Sequence, residues 1–360
     1  MRRMFAIATL LAWQGFAHAQ PINTALNLKP LNGFGVDARF LASVDNSQTL
    51  QNVQEAWDHF VKHYDSNGVF IPTIKSMLIQ ADIPVEFLFL AMAESNFSTK
   101  AYSVKKAVGI WQLMPETARM LGLEVSTFVD ERRDPIKSTQ AAIKYLRILY
   151  KQTKQWYLVA MAYNYGPRRV LEAIQQAGSD DINVLLDDEK KFIPRETRGY
   201  IRSILSFAIA FNNLDTLRHK EYLLNRGART SLVALKMHGG TLLSHIAQGA
   251  RLSLAEFKSY NEQFHYNFLP PNKAYMIYIP YEKLAYFKQH YVPSYPLSAL
   301  VTHRVRPRET LSSIARKFHT SVALIKNTNH LKSARLSRNQ HLVIPILRKD
   351  HKDFKRVAFK

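Results

Sequence analysis

The run Asp82-Ile83-Pro84-Val85-Glu86-Phe87-Leu88-Phe89-Leu90-Ala91-Met92-Ala93-Glu94-Ser95-Asn96-Phe97 decides how this chain folds. From Phe87 to Ala93 it has no polar residue, so a helix here is apolar on nearly every face and has to be buried. Asp82 stands where it can cap that helix, with Pro84 in the first turn. Glu94 then falls at the C-terminal end. Apolar surroundings disfavour its anion, and the negative end of the helix dipole disfavours it further. A carboxyl so placed stays protonated near neutral pH and can serve as a general acid. An exposed glutamate at a fraying helix end fits the same local sequence, although glutamates are rarely buried without a role.

Three further segments carry chemistry. Ser103 is followed by Gly109-Ile110-Trp111-Gln112-Leu113-Met114-Pro115, with Pro115 opening a helix that ends near Gly122. A glycine, an aromatic, an amide and a methionine at a helix start suit a wall that binds sugar; a packed helix joint has the same composition. Ala162-Tyr163-Asn164-Tyr165-Gly166 lies where a helix breaks at Gly166-Pro167. A Tyr163 hydroxyl there can hold the Glu94 carboxyl, or it can be a core tyrosine satisfied locally. Glu196-Thr197-Arg198-Gly199-Tyr200 opens a last helix and reads, by itself, as a first turn with a favourable acid.

Around these segments, residues 51–218 show apolar spacing of three and four between Gly, Pro and Asn breaks, the pattern of a helical domain. The clearest helix is Ile136 to Tyr150, with Asp134 as N-cap and Pro135 at its first position. After Arg229 the pattern changes to a duplicated unit. Leu243-Ser244-His245-Ile246-Ala247 returns as Leu311-Ser312-Ser313-Ile314-Ala315, and Ser253, Ala255, Lys258 and Asn261 return as Ser321, Ala323, Lys326 and Asn329. The second copy reads as strand–helix–helix–strand, with Thr310 and Ser321 as the two helix caps. The expected fold is therefore mainly α: a helical domain followed by small α+β (βααβ) modules. The expected divisions are 1–19, a signal peptide; 20–70, an N-terminal helical segment; 71–225, the helical domain; 229–281, a degenerate module; 282–300, a linker marked by Pro293 and Pro296; 301–346, a second module; and 347–360, a basic tail.

Composition limits the function. A chain of 360 residues suits two or three domains. The absence of cysteine excludes disulfides, thiolate metal sites, a cysteine nucleophile and lipid attachment at an N-terminal cysteine. A formal net charge of +21 favours an anionic membrane surface, an acidic polymer or nucleic acid. Nucleic acid is disfavoured: there is no zinc-finger spacing, basic heptad or aromatic RNA-binding box. The N-terminus also reads as an export signal. Arg2 and Arg3 precede the apolar run Met4 to Trp13, and Ala17-His18-Ala19 is a cleavage site before Gln20. That run is too short to span a bilayer comfortably. His59 and His63 have helical spacing, but Phe60 stands where a zinc protease needs glutamate, so they are read as surface residues and no metal is expected.

Taken together, Glu94-Ser95, Ser103 before Gly109 to Pro115, Ala162 to Gly166 and Glu196 to Tyr200 resemble the ordered motifs of the lytic murein transglycosylases. Val129 to Pro135 looks like a stretch of one membrane-bound subgroup. The resemblance covers about Ile71 to Phe211 and implies a lysozyme-like helical domain with no cofactor. It implies that Glu94 is the single catalytic acid/base on peptidoglycan glycan strands. Tyr163 would position it, Ser103, Gln112, Met114 and Asn164 would line the sugar groove, and Tyr200 would flank it. The repeats resemble lysin-motif (LysM) modules, which bind glycans containing N-acetylglucosamine; Thr302 to Pro345 is similar throughout, Ser231 to Pro280 only as a degenerate copy. The resemblance also implies a periplasmic location. Two residues depart from the family pattern: Lys106, where glycine is common, and Tyr165, where alanine is common. Family members of the subgroup are often lipoproteins, so any peripheral membrane or wall association here has to come from elsewhere, such as the basic surface. A lysozyme-type hydrolase would need a second carboxylate, with Glu116, Glu124, Asp130 and Glu131 as candidates; a catalytically dead glycan-binding scaffold is the other alternative.

Overall fold

The computed structural model describes residues 29–36, 68–213 and 231–347, apart from 272, 295, 296 and 330. The expected signal peptide, most of the 20–70 segment, His59, His63 and the tail from 348 lie outside the described residues.

The first unit is helical: α1 (Ile71–Gln80), α2 (Phe87–Ser95), α3 (Pro115–Met120), α4 (Pro135–Thr153), α5 (Trp156–Tyr165), α6 (Pro167–Ala177), α7 (Ile182–Leu185) and α8 (Arg195–Asn213). Its core is centred on α2, where every residue from Phe87 to Met92 is buried, as the unbroken apolar run demands. Full burial of such side chains contributes roughly 1.5–3 kcal/mol each. Helix α4 is amphipathic: Ala142, Leu146 and Leu149 face this core while Lys144, Arg147 and Ile148 face water. The 3-10 turn Lys29–Phe34 closes one side, its Phe34 ring 5.3 Å from that of Phe87.

Asp134 caps α4 as expected, its carboxylate accepting from the Ile136 and Lys137 backbone N–H groups at 3.0 and 2.9 Å. Asp82 does not cap α2. It sits at φ +54° beyond the end of α1, where Asp82 N donates to Ile79 O and Ile83 N to Leu78 O. These two bonds form a Schellman closure, in which a left-handed residue satisfies the last carbonyls of the preceding helix. Helix α2 begins only at Phe87, with Glu86 at the N-cap position and no side-chain cap.

The two expected modules each form a two-stranded antiparallel sheet with a helix pair. The first runs β1 (Leu232–Met237), α9 (Leu243–Gly249), α10 (Leu254–Tyr260) and β2 (Tyr275–Pro280), with Leu232 opposite Pro280 and Met237 opposite Tyr275. Helix α11 (Leu284–His290) follows. The second runs β3 (Leu297–Arg304), α12 (Leu311–Lys317), α13 (Val322–Thr328) and β4 (His341–Leu347), with Arg304 opposite His341. Thr310, Ser253 and Ser321 cap α12, α10 and α13. The repeat extends to hydrogen bonds. Asn261 donates to Phe257 O and Tyr278 O and accepts from Tyr278 N; Asn329 donates to Ile325 O and Val343 O and accepts from Val343 N. Each asparagine pins the second helix of its module to the returning strand.

The expected linker 282–300 is corrected. It contains α11, whose Phe287, together with Tyr291, is buried in the core of the first module, and it runs into β3. The modules touch at Gly240, whose N–H donates to Leu269 O and whose C=O accepts from Leu297 N; a Cβ on Gly240 would stand 2.3 Å from Leu297 O.

The first module also joins the helical unit. Val129 lies in the module's core, pairs with Phe264 as an antiparallel bridge, and is followed by Asp130, whose N–H donates to Gln263 O. The Tyr278 hydroxyl donates to Asp134 Oδ1 at 2.7 Å in a buried position.

Candidate active site

Glu94 occupies the last turn of α2, where its carboxyl is partly buried. Burial pushes its titration up from the ordinary 4.5 to about 7, against a smaller opposing effect of the Tyr200 hydrogen bond. The bond is direct: the Tyr200 hydroxyl, from the second turn of α8, donates to Glu94 Oε1 at 2.7 Å. Burial of both phenols and, second to it, the nearby Glu94 charge hold Tyr163 and Tyr200 far above the usual tyrosine range, so both stay hydroxyl donors. The carboxyl therefore changes protonation near neutrality beside phenols that do not. That suits a group which gives a proton and later takes one.

Tyr163 lies close enough to Glu94 to feel its charge, but its hydrogen bond goes to a different partner. Its hydroxyl donates to Trp111 O at 2.7 Å, and its ring lies against Tyr145. It thus fixes the loop opposite Glu94, and the hydrogen bond to the carboxyl belongs to Tyr200. Ser95 does similar work from the end of α2, donating to Ile110 O at 2.8 Å. Sequence reading gave Ser95 no role; its position one residue beyond Glu94, at the helix end, was the available signal.

The loop itself is built on backbone constraint. Gly109 has φ +80°, and a Cβ there would lie 2.0 Å from Arg132 O. Gln112 adopts φ +43°, an unusual conformation for a residue with a side chain, and its amide turns back to donate to Gly109 O at 2.8 Å. Trp111 is fully buried, with its indole N–H on Thr139 Oγ1. Met114 is 38% exposed at the start of α3. Ser103 closes the adjacent turn, its hydroxyl accepting from Ala107 N. Lys106, in that turn, has φ +69°, a conformation for which glycine is the unstrained residue. Asn164 is exposed at the end of α5, with Oδ1 accepting from Thr197 Oγ1 at 2.8 Å, so two of the sequence motifs meet there. Tyr165 lies under the Arg169 guanidinium.

Three of the candidate second carboxylates are engaged elsewhere. Asp130 takes a two-pronged pairing from Arg132, at 2.9 and 2.8 Å. Glu131 accepts from Glu124 N and pairs with Lys137, and Glu124 pairs with Lys273. Glu116 is exposed in the first turn of α3. Among the described residues there is no cluster of three or more His, Cys, Asp or Glu side chains able to hold a metal.

Residues 73–186 match the Transglycosylase SLT domain, residues 303–345 the LysM domain, and residues 234–295 the "Lytic transglycosylase MltD, LysM-like domain". Membrane-bound lytic murein transglycosylase D of Escherichia coli is 28% identical over 285 residues, 75% of this chain and 62% of its own length. The chain thus spans less than two thirds of that relative. A tributyltin chloride resistance protein of an Alteromonas species is 39% identical over 94 residues, 26% of this chain and 45% of its own. Among solved structures, an inactive mutant of lytic transglycosylase Slt from Pseudomonas aeruginosa matches with 26% identity and a TM-score of 0.31, over 38% of this chain and 22% of that one. The chain carries a transglycosylase SLT domain followed by an MltD-type LysM-like domain and a LysM domain, and it is homologous to membrane-bound lytic murein transglycosylase D.

Proposed function

We propose that the protein is a peptidoglycan lytic transglycosylase in which Glu94 is the only catalytic acid/base. The observation that carries this is the placement of Glu94: its carboxyl stands at the end of the buried helix α2 with the Tyr200 hydroxyl 2.7 Å from Oε1, while Asp130, Glu131 and Glu124 are held in other pairings. Glycosidases that activate water pair two carboxylates across the scissile bond. With one, the muramoyl C6 hydroxyl can take the place of water as the nucleophile. Protonated Glu94 gives its proton to the glycosidic oxygen between N-acetylmuramic acid and N-acetylglucosamine, and the bond from muramoyl C1 to that oxygen breaks. The N-acetyl group stabilises the developing cation. The Glu94 carboxylate then takes the proton of the muramoyl C6 hydroxyl, whose oxygen bonds to C1 and closes a 1,6-anhydro ring. Glu94 ends protonated, and no water is consumed.

Ser103, Gln112, Met114 and Asn164 would line the groove. Tyr200 would orient the carboxyl, and Tyr163 the loop. The LysM domain would hold the enzyme on glycan strands. Action in the periplasm follows from the export signal and the substrate; no helix among the described residues is long and apolar enough to cross a membrane. The net charge of +21 would add peripheral attraction to an acidic wall or membrane surface, weakened by salt. Mass spectrometry of fragments released from purified peptidoglycan tests the reading. Anhydro-muramoyl ends are expected from wild type and none from Glu94→Gln. Ends heavier by one water would make the protein a hydrolase; no fragments together with retained glycan binding would make it a scaffold.

A further inference from the structure

The catalytic loop is held from two sides. On the side of the catalytic helix, Ser95 and Tyr163 bond the carbonyls of Ile110 and Trp111. On the other side the holder is Arg132. Its guanidinium donates to Lys106 O at 2.8 Å and Leu113 O at 3.1 Å, bracketing the segment that contains Gln112, and its own carbonyl lies against Gly109. Arg132 is buried, and the Asp130 carboxylate fixes it through two hydrogen bonds.

What fixes Asp130 is the first module. The stretch 127–130 forms a short antiparallel ladder with 263–265: Asp130 N donates to Gln263 O, His265 N donates to Phe128 O, and the His265 ring meets Thr127 O. The Val129 side chain is wholly buried among the module's core residues. Four residues on, Asp134 takes the Tyr278 hydroxyl from β2, and Tyr278 also meets the Phe70 ring edge-on at 6.3 Å. Ion pairs Lys100–Glu262 and Lys273–Glu124 flank the joint. The module thus completes the seat of the arginine that clamps the loop.

We propose that the LysM-like module, residues 231–291, is a working part of the catalytic unit: through 127–134 it sets Arg132, and Arg132 positions the 106–113 loop against Glu94. Arg132 and Asp130 are positioning residues, and so, at one remove, is Tyr278. A chain of contacts becomes coupling only when a change at one end moves the other, so the test loosens the far end. The catalytic arm of that test rests on the transglycosylase reading; the first arm does not.

The variants are Tyr278→Phe and Val129→Ala in the full chain, with Ile325→Ala in the core of the second module as control. Hydrogen exchange of the peptide covering 101–114 is measured first. It is expected to quicken in both joint variants and to stay at the wild-type rate in the control. Should either joint variant unfold, the other decides. Unchanged exchange in 101–114 while 262–280 opens would overturn the proposal, whatever the protein's activity. Turnover of soluble glycan fragments follows: kcat is expected to fall about ten- to a hundredfold with KM within about twofold, the signature of a misplaced site rather than a lost binding surface. A raised KM at unchanged kcat would mean that the module binds substrate and does not position the loop. Absence of turnover in wild type would count against the proposed function alone, leaving the exchange result to decide this inference.

Discussion

Replacing Glu94 by glutamine keeps the shape of the side chain and removes its charge, so it isolates what the ionised carboxylate does to the fold. Glu94 titrates at about 7 against an ordinary 4.5, because burial outweighs the Tyr200 hydrogen bond. A tenfold change in proton affinity corresponds to about 1.4 kcal/mol, so the ionised carboxylate costs the native state on the order of 3 kcal/mol. Below about pH 4.5 the group is protonated in folded and unfolded chains alike, and nothing is lost. As pH rises from about 4.5 towards 7 the unfolded chain releases this proton first, and native stability falls; above about 7 the loss is complete. Glutamine does not titrate. Wild type and Glu94→Gln should therefore be nearly equal in stability at about pH 4.5, and the variant should be more stable by up to about 3 kcal/mol at about pH 8.5. Urea unfolding followed by the fluorescence of Trp111 and Trp156, repeated across this range, measures the gap. A gap that does not widen with pH, or one that favours wild type at high pH, would refute the account of Glu94 as a buried acid. On the proposed function the same titration would set the alkaline limb of catalysis: activity should fall as pH rises past about 7, where Glu94 loses its proton.

Tyr200→Phe removes the hydrogen bond that stabilises the Glu94 anion, so the alkaline limb of the rate profile should move to higher pH; a hydrogen bond to a charged group contributes about 1.5–3 kcal/mol. An unmoved limb would exclude Tyr200 as the partner that matters. Gly109→Ala puts a methyl group into Arg132 O at a left-handed backbone position, and should lower thermal stability by about 3 kcal/mol or more and abolish cleavage. Lys106→Gly relieves a left-handed lysine and should stabilise the protein by about 1 kcal/mol, read as a raised Tm with the loop unchanged. Asn329→Ala deletes two hydrogen bonds that tie the end of α13 to β4 and a third to the Ile325 carbonyl, and should lower the melting transition of the second module while leaving that of the helical unit in place, resolved by calorimetry.

Features with a local cause were legible in the sequence. The burial of α2 follows from composition alone, and the Asp134 cap from a carboxylate before Pro135. The repeat paired Asn261 with Asn329 by spacing alone, and the structure gives the two the same hydrogen-bonding role. Features decided by packing were not. Tyr163 and Tyr200 both sit on helices near the site, and nothing local says which hydroxyl reaches Glu94; the bond that forms joins residues 106 apart. Asp82 precedes an apolar helix and so reads as its cap, but the chain leaving α1 needs a left-handed residue to close it, and Asp82 supplies that. In 282–300 the prolines dominated the reading, although Leu284, Phe287 and Tyr291 have the three- and four-residue spacing of a helix that packs. Arg132 stood in the Val129 to Pro135 stretch without a role, because the contacts of a buried arginine are set by what surrounds it.

The close join at Gly240 and Leu297 has a mechanical meaning. A flexible tether lets a grip and a blade wander relative to each other, and the polymer between them samples many lengths. Here the first residue of β3 is hydrogen-bonded to the first module, through Leu297 N and Gly240 O. On the proposed function, with the second module gripping a glycan strand that the helical domain cuts, this join would narrow the spacing between the point of hold and the point of scission and lower the chain entropy lost on engagement.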